Sequence, residues 1–125
     1  MNYLLDTQIF LWWLAKDKKL KESIKKIIAD PQNTIYVSVT NAWEISIKYK
    51  IGKLPLKTTL EKCFEVTKFP IININLQHIL QLDKLPLIHK DPFDRLLIAQ
   101  SMIENLTLIT SNPKIWQYKI DLLKV

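Results

Sequence analysis

Short apolar runs closed by a polar or turn residue alternate along this chain with segments whose apolar residues recur every three or four positions. The first pattern reads as a buried strand and the second as a helix. Tyr3 to Leu5 is an apolar run closed by Asp6, followed by Ile9, Phe10, Trp13 and Leu14 at helical spacing. From Lys18 to Asp30, Leu20, Ile24, Ile27 and Ile28 share one face opposite a set of lysines, and Pro31 stops the helix. Thr34 to Val39 is β-branched and predicts a strand. The helix after it is expected to be capped by Thr40 or Asn41, to bury a stripe of Trp43, Ile47 and Ile51, and to end near Gly52. Further helices are predicted over 59–68, 76–82 and from Pro92 to Glu104, with strands over 71–74, 106–109 and 120–123 and a helical turn over 113–118. Strands that alternate with helices need crossover connections. The expected fold is therefore α/β: a mostly parallel sheet of about four or five strands, covered by helices on both faces, in a single domain over 1–125.

Composition narrows the function. Hydrophobic residues make up 48% of the chain, enough to supply a packed core. A single glycine leaves no room for a Gly-rich phosphate loop, so the common nucleotide-binding motifs are excluded. One cysteine, Cys63, cannot pair within the chain and is expected as a small apolar residue in a helix. With no basic segment before the apolar start and Asp6 interrupting it, a signal peptide or membrane span is not expected, and the cytoplasm is the anticipated compartment. The net charge of +6 favours a polyanionic partner, nucleic acid first.

The chain has only twelve acidic residues, few enough to consider one by one. Asp6 closes the first strand, and in parallel α/β sheets ligands gather beyond the carboxyl ends of strands. Glu44 falls near the start of the helix leaving the second strand, and Asp94 in the first turn of the helix that opens at Pro92. All three can emerge on one edge of the sheet. Like charges held close raise each other's pKa, and a divalent cation removes that penalty. Hard oxygen ligands suit Mg²⁺ or Mn²⁺ better than zinc. Each acid also has a structural reading: Asp6 with Thr7 as a cap of the first helix, Asp94 and the nearby Asp91 as charges at a helix amino terminus, and Glu44 as a solvated helical residue.

The segments "LLDTQIFLWWL", "SVTNAWEISIKYKIGKL" and "HKDPFDRLLIAQSMIENLTLITSN" together resemble the PIN-domain toxins of the VapBC type, essentially end to end. That resemblance implies a Mg²⁺-dependent (or Mn²⁺-dependent) endoribonuclease that hydrolyses RNA phosphodiesters, acts as the toxin of a type II toxin–antitoxin pair, and forms a homodimer. It assigns Asp6, Glu44 and Asp94 as metal-binding catalytic acids, with Thr7 as the hydroxyl residue supporting them. Asp91 is then a helix cap beside the site. Many members carry a further aspartate after the fourth strand, where this chain has Asn112, an amide able to offer oxygen but no charge. One-metal chemistry becomes more plausible as a result. Metal-assisted hydrolysis needs no histidine base, so His78 is expected as a surface or packing residue and His89 as a loop residue near the site mouth.

Lys48, Lys50 and Lys53, along the helix after Glu44, are candidate RNA contacts. The lysines between Lys16 and Lys26 read first as the solvated face of a helix. Trp12, Trp13, Trp43 and Trp116 are expected mainly in the core, with one of the adjacent pair less buried. In the resembling family the early helices form a groove for the tail of a small antitoxin protein. Two other functions share the fold: a stand-alone PIN nuclease in RNA processing, and a non-catalytic binding module with Asn112 marking loss of the site. An aspartate-based phosphatase would need a second aspartate where Gln8 stands, and is set aside.

Overall fold

A computed structural model describes all residues, 1–125. The elements follow in the order β1 (Asn2–Leu5), α1 (Thr7–Ala15), α2 (Glu22–Ala29), β2 (Thr34–Ser38), α3 (Val39–Lys50), α4 (Leu60–Thr67), β3 (Ile71–Ile72), α5 (Leu76–Lys84), α6 (Pro92–Ile103), β4 (Thr107–Thr110), a 3-10 turn (Ile115–Gln117) and β5 (Leu122–Lys124). The sheet has five strands in the order β3-β2-β1-β4-β5, and every pairing is parallel.

Because strand side chains alternate between faces, each strand feeds two cores. Tyr3, Leu5, Ile35, Val37 and Ile109 join one, packed with Phe10, Ile24, Ile28, Ile45 and Cys63 from α1 to α4. Leu4 and Leu108 point the other way, onto Leu97, Ile98, Ala99 and Leu106. A parallel sheet covered on both faces explains why its strands read as continuous apolar runs.

The strand order also places the site. The chain leaves β1 toward β2 and β3, then returns through α6 to put β4 on the opposite side of β1. Crossovers depart in opposite directions from β1, leaving a crevice beyond the carboxyl ends of β1 and β4. Asp6 follows β1 directly, and Ser111 and Asn112 follow β4.

The α3 helix departs from the periodicity-based expectation. Its cap is Ser38, whose hydroxyl accepts the Thr40 N–H at 2.9 Å while Asn41 Oδ1 accepts the Ser38 N–H at 2.7 Å. Its buried face is Thr40, Asn41, Glu44 and Ile45, whereas Trp43, Ile47 and Ile51 are exposed. The inward face is polar because it meets the crevice and a buried glutamine of α6, so the apolar stripe is left outside. Trp43 instead packs edge-on against Phe93, ring centroids 4.9 Å apart. Trp12 and Trp13 are both half-buried. The lone glycine ends α3 at φ 75°, where any side chain would be strained. Its N–H donates to Tyr49 O and the next N–H, of Lys53, to Lys48 O, the paired bonds of a Schellman turn. That turn brings Lys53 back beside Lys48.

No helix is long and apolar enough to cross a membrane.

Candidate metal centre

One cleft of about 250 Å³ is lined by Asp6, Glu44 and Asp94 together, along with Thr7, Lys48, Lys53, Ser111 and Asn112. The three acids that lie far apart in the chain thus face one cavity. Each is held by a different device.

Asp6 is 4% exposed and does both things its position allows. One carboxylate oxygen caps α1 by accepting the Ile9 N–H at 2.8 Å, while the backbone N–H extends the β1 ladder by donating to Ile109 O at 3.1 Å. Burial pushes its carboxyl up to about 7; bonds from Thr110 and Ile9 oppose that, and the charges of Asp94 and Glu44 add to it.

Glu44 is also buried, and both its oxygens are engaged. The Thr7 hydroxyl donates to Oε1 at 2.5 Å across 37 residues of sequence. Lys48 Nζ, one helical turn on, lies 2.5 Å from Oε2. Asn41 fixes the direction of the first bond: its amide nitrogen donates to Thr7 Oγ1 at 3.0 Å and to Leu5 O at 3.2 Å. With its oxygen accepting from Asn41, the threonine has its proton free for Glu44.

Asp94 sits in the first turn of α6. Asp91 caps that helix by accepting the Asp94 N–H at 3.0 Å, with Pro92 at its first position. Asp94 Oδ2 bonds His89 Nε2 at 2.7 Å and accepts from Asn112 Nδ2 at 3.2 Å. Burial raises the Asp94 carboxyl; the His89 bond opposes the shift, and Asp91 and Glu44 reinforce it.

Several residues stand differently from expectation. Asn112 turns its nitrogen, not its oxygen, toward Asp94, because its Oδ1 accepts the Lys114 N–H at 3.0 Å. In this arrangement it is a donor to an acid. Lys50 is exposed and borders a different cavity, beside Ser46 and Tyr49, so it is not part of this site. His89 is a buried partner of Asp94, more than a residue at the mouth. His78 is fully buried; its Nδ1 accepts the Asn75 N–H at 3.2 Å at the start of α5.

Arg95 and Tyr118 were not evident from sequence. The Arg95 guanidinium donates to the carbonyls of Leu82, Leu85 and Pro86 and to the Tyr118 hydroxyl, and that hydroxyl accepts the His89 N–H at 3.0 Å. Together they clamp the loop that carries His89 against α6. Gln100 was missed too: fully buried on α6, its Oε1 accepts from Ser38 Oγ at 2.6 Å and Thr40 Oγ1 at 2.9 Å. It ties the helix bearing Asp94 to the start of the helix bearing Glu44. A buried glutamine in an apolar run such as "LLIAQS" is the one available signal, and it does not say what the glutamine meets.

The donor set suits a hard divalent cation in chemistry and in charge. Its side chains, as they stand, do not form a ready cluster of three ligating groups. In the contacts above, both Glu44 oxygens are taken by Thr7 and Lys48, and Asp94 Oδ2 is taken by His89 and Asn112.

Comparison with known proteins gives the family context. The family model described as PIN domain matches residues 3–121. No curated protein matches the chain. Among solved structures, VapBC2 from Rickettsia felis, bound to a DNA fragment from its promoter, has a chain that aligns with a TM-score of 0.74 at 20% identity, covering 99% of this chain and 98% of that one. A toxin–antitoxin complex from Klebsiella pneumoniae gives 0.68 at 22% identity, covering 98% and 96%. VapBC-1 from nontypeable Haemophilus influenzae gives 0.67 at 20%, covering 99% and 98%. At such identities these likenesses establish a shared fold.

Proposed function

The chain belongs to the PIN domain family, and on that premise we propose that it is a metal-dependent endoribonuclease, the toxin of a type II toxin–antitoxin pair. The observation that carries this reading is the convergence of Asp6, Glu44 and Asp94 on one cleft at the crevice of the sheet, where burial, with the neighbouring acids adding to it, raises the carboxyls of Asp6 and Asp94. Acids gathered at such a cost are a functional-site signature.

In this reading Asp6, Glu44 and Asp94 hold a Mg²⁺ or Mn²⁺ ion. When bound, the ion supplies activation of water toward phosphorus and neutralisation of charge on the phosphodiester. The protein's own residues do the rest. Thr7, oriented by Asn41, aims Glu44; His89 and Asn112 hold Asp94; Asp91 seats the first turn of α6. Lys48 and Lys53 at the cleft contact RNA phosphates. As Asn112 offers no oxygen to the cleft, the site is a one-metal centre.

The antitoxin partner fits a groove of about 500 Å³ lined by Trp13, Leu14, Val66 and Phe69 and flanked by Lys16 and Lys25, suited to an apolar tail bearing acidic residues. The exposed Val39, Trp43 and Ile47 on α3 are one turn apart along a single stripe, a surface for the homodimer. The cytoplasm is where such a protein would meet its RNA.

The test is cleavage of a mixed RNA panel by purified, antitoxin-free protein in Mg²⁺, Mn²⁺ or EDTA, beside the Asp6→Ala, Asp94→Ala double mutant. Metal-dependent cutting abolished in the mutant is the expected result. Folded protein that cuts no RNA in either metal would shift the reading to a non-catalytic binding module.

A further inference from the structure

Of the contacts around Glu44, only one can be given up cheaply. Its Oε1 is held by Thr7, itself buried and bonded to the fully buried Asn41, so losing that bond would leave buried polar groups unpaired. Its Oε2 is held by Lys48 alone, at 2.5 Å. The Lys48 side chain is 40% exposed, against 6% for Glu44. An ammonium on a flexible four-carbon stem swings into solvent easily, and a buried carboxylate cannot follow it. Any cation that is to reach Glu44 must therefore take the place of this ammonium.

We propose that Lys48 is a displaceable counter-ion: it neutralises Glu44 while the cleft holds no divalent cation, and yields that oxygen to the cation as its own ammonium moves to an RNA phosphate. The inference rests on the metal-centre reading above and adds a coupling to it. Metal binding to the RNA-free protein must break this ion pair and release the ammonium with no anionic partner, so it is opposed. A phosphodiester at the cleft gives the ammonium a second anionic partner, which removes the opposition. RNA and metal then favour each other's binding, and by linkage the effect is reciprocal.

Geometry singles out Lys48 among the nearby lysines. It stands four residues after Glu44, on the same helical face. Lys53 lines the same cleft without an ion pair to Glu44, which makes it a control for the general effect of a positive charge.

The experiment is calorimetric titration of Mg²⁺ into the wild type, Lys48→Met, Lys53→Met and Glu44→Gln proteins, without RNA and then with a nuclease-resistant oligonucleotide carrying phosphodiester-like charge. Without RNA, Lys48→Met should bind Mg²⁺ roughly two- to five-fold more tightly than wild type, the scale expected for a partly exposed ion pair. Lys53→Met should show a clearly smaller gain, and Glu44→Gln should bind weakly or not at all. The oligonucleotide should tighten Mg²⁺ binding to wild type clearly more than to Lys48→Met, which keeps only the direct attraction between ion and phosphate. Melting supplies a second readout: in EDTA, Lys48→Met should unfold at a lower temperature than wild type and gain more on adding Mg²⁺, because Glu44 is then buried without its counter-ion. Equal or weaker Mg²⁺ binding by Lys48→Met, or an equal gain in Lys53→Met, overturns the exchange while leaving the metal centre standing. Absence of Mg²⁺ binding by every variant, with and without the oligonucleotide, overturns the metal centre and the exchange together.

Discussion

Replacing Asp6 by asparagine tests the cost of burying a charged carboxylate at this site, to which the neighbouring acids add. Asparagine keeps a side-chain oxygen to cap α1 through the Ile9 N–H, removes the charge, and exchanges the other oxygen for an amide nitrogen. In the metal-free fold the Asp6 carboxyl is raised from 3.8 to about 7. A raised acid means that the folded state holds its proton over a range where the unfolded chain has released it. Stability is therefore unaffected below pH 4, falls as pH rises from about 4 to about 7, and levels off above that. Over this range the loss amounts to about 4 kcal/mol, at 1.36 kcal/mol per pH unit. That is a large share of the 5–15 kcal/mol typical of a whole domain. The assay is urea unfolding of wild type and Asp6→Asn in EDTA at several pH values from 4 to 8.5. The difference in unfolding free energy should move in favour of the mutant by up to about 4 kcal/mol between the ends of that range. Taking the difference cancels any fixed cost of the amide and any pH dependence the two proteins share. Relief of the Asp6–Asp94 repulsion in the mutant acts in the same direction. A difference that stays constant with pH would refute the argument, because Asp6 would then titrate alike in the folded and unfolded chain.

Other outcomes follow from the same geometry. Mg²⁺ and a proton compete for Asp6, so metal affinity, measured by titration calorimetry, should rise between pH 6 and pH 8 and flatten beyond it. Thr7→Val removes the hydroxyl between Asn41 and Glu44 at nearly constant shape. It should lower the unfolding free energy by about 1–3 kcal/mol and weaken Mg²⁺ binding, with Thr7→Ser restoring both. Asn112→Asp replaces a donor to Asp94 by a like charge; melting in EDTA should show a less stable protein at pH 8, and Mg²⁺ should bind more tightly. Gln100→Leu strands the Ser38 and Thr40 hydroxyls inside the protein, and denaturant unfolding should show a loss of roughly 2–4 kcal/mol at those two unpaired groups.

Local pattern alone carries much of this protein. Buried parallel strands and amphipathic helices differ in periodicity, and Asp6, Pro31, Asp91 with Pro92, and Gly52 punctuate the chain through their own backbone chemistry, so the order of elements and the α/β class were legible. The three acids stood out because acids are few and Asp6 and Asp94 fall at element boundaries, whereas Glu44 lies in the second turn of α3, deeper than expected. Closeness in sequence groups Lys48 with Lys50, although only Lys48 lies one helical turn from Glu44 and lines its cleft while Lys50 borders another. What sequence could not carry depends on which elements meet. The inward face of α3 is polar, contrary to its apolar stripe, because Gln100 of α6 and Thr7 of α1 lie there to satisfy Thr40, Asn41 and Glu44. The amide of Asn112 presents nitrogen because its oxygen is taken by the Lys114 N–H and an acid waits on the other side. His89 reaches Asp94 only because Arg95 and Tyr118 hold its loop in place. Periodicity reports how much of a segment is buried. Hydrogen bonding between residues distant in the chain is decided by three-dimensional proximity, and only the assembled sheet and its helices supply it.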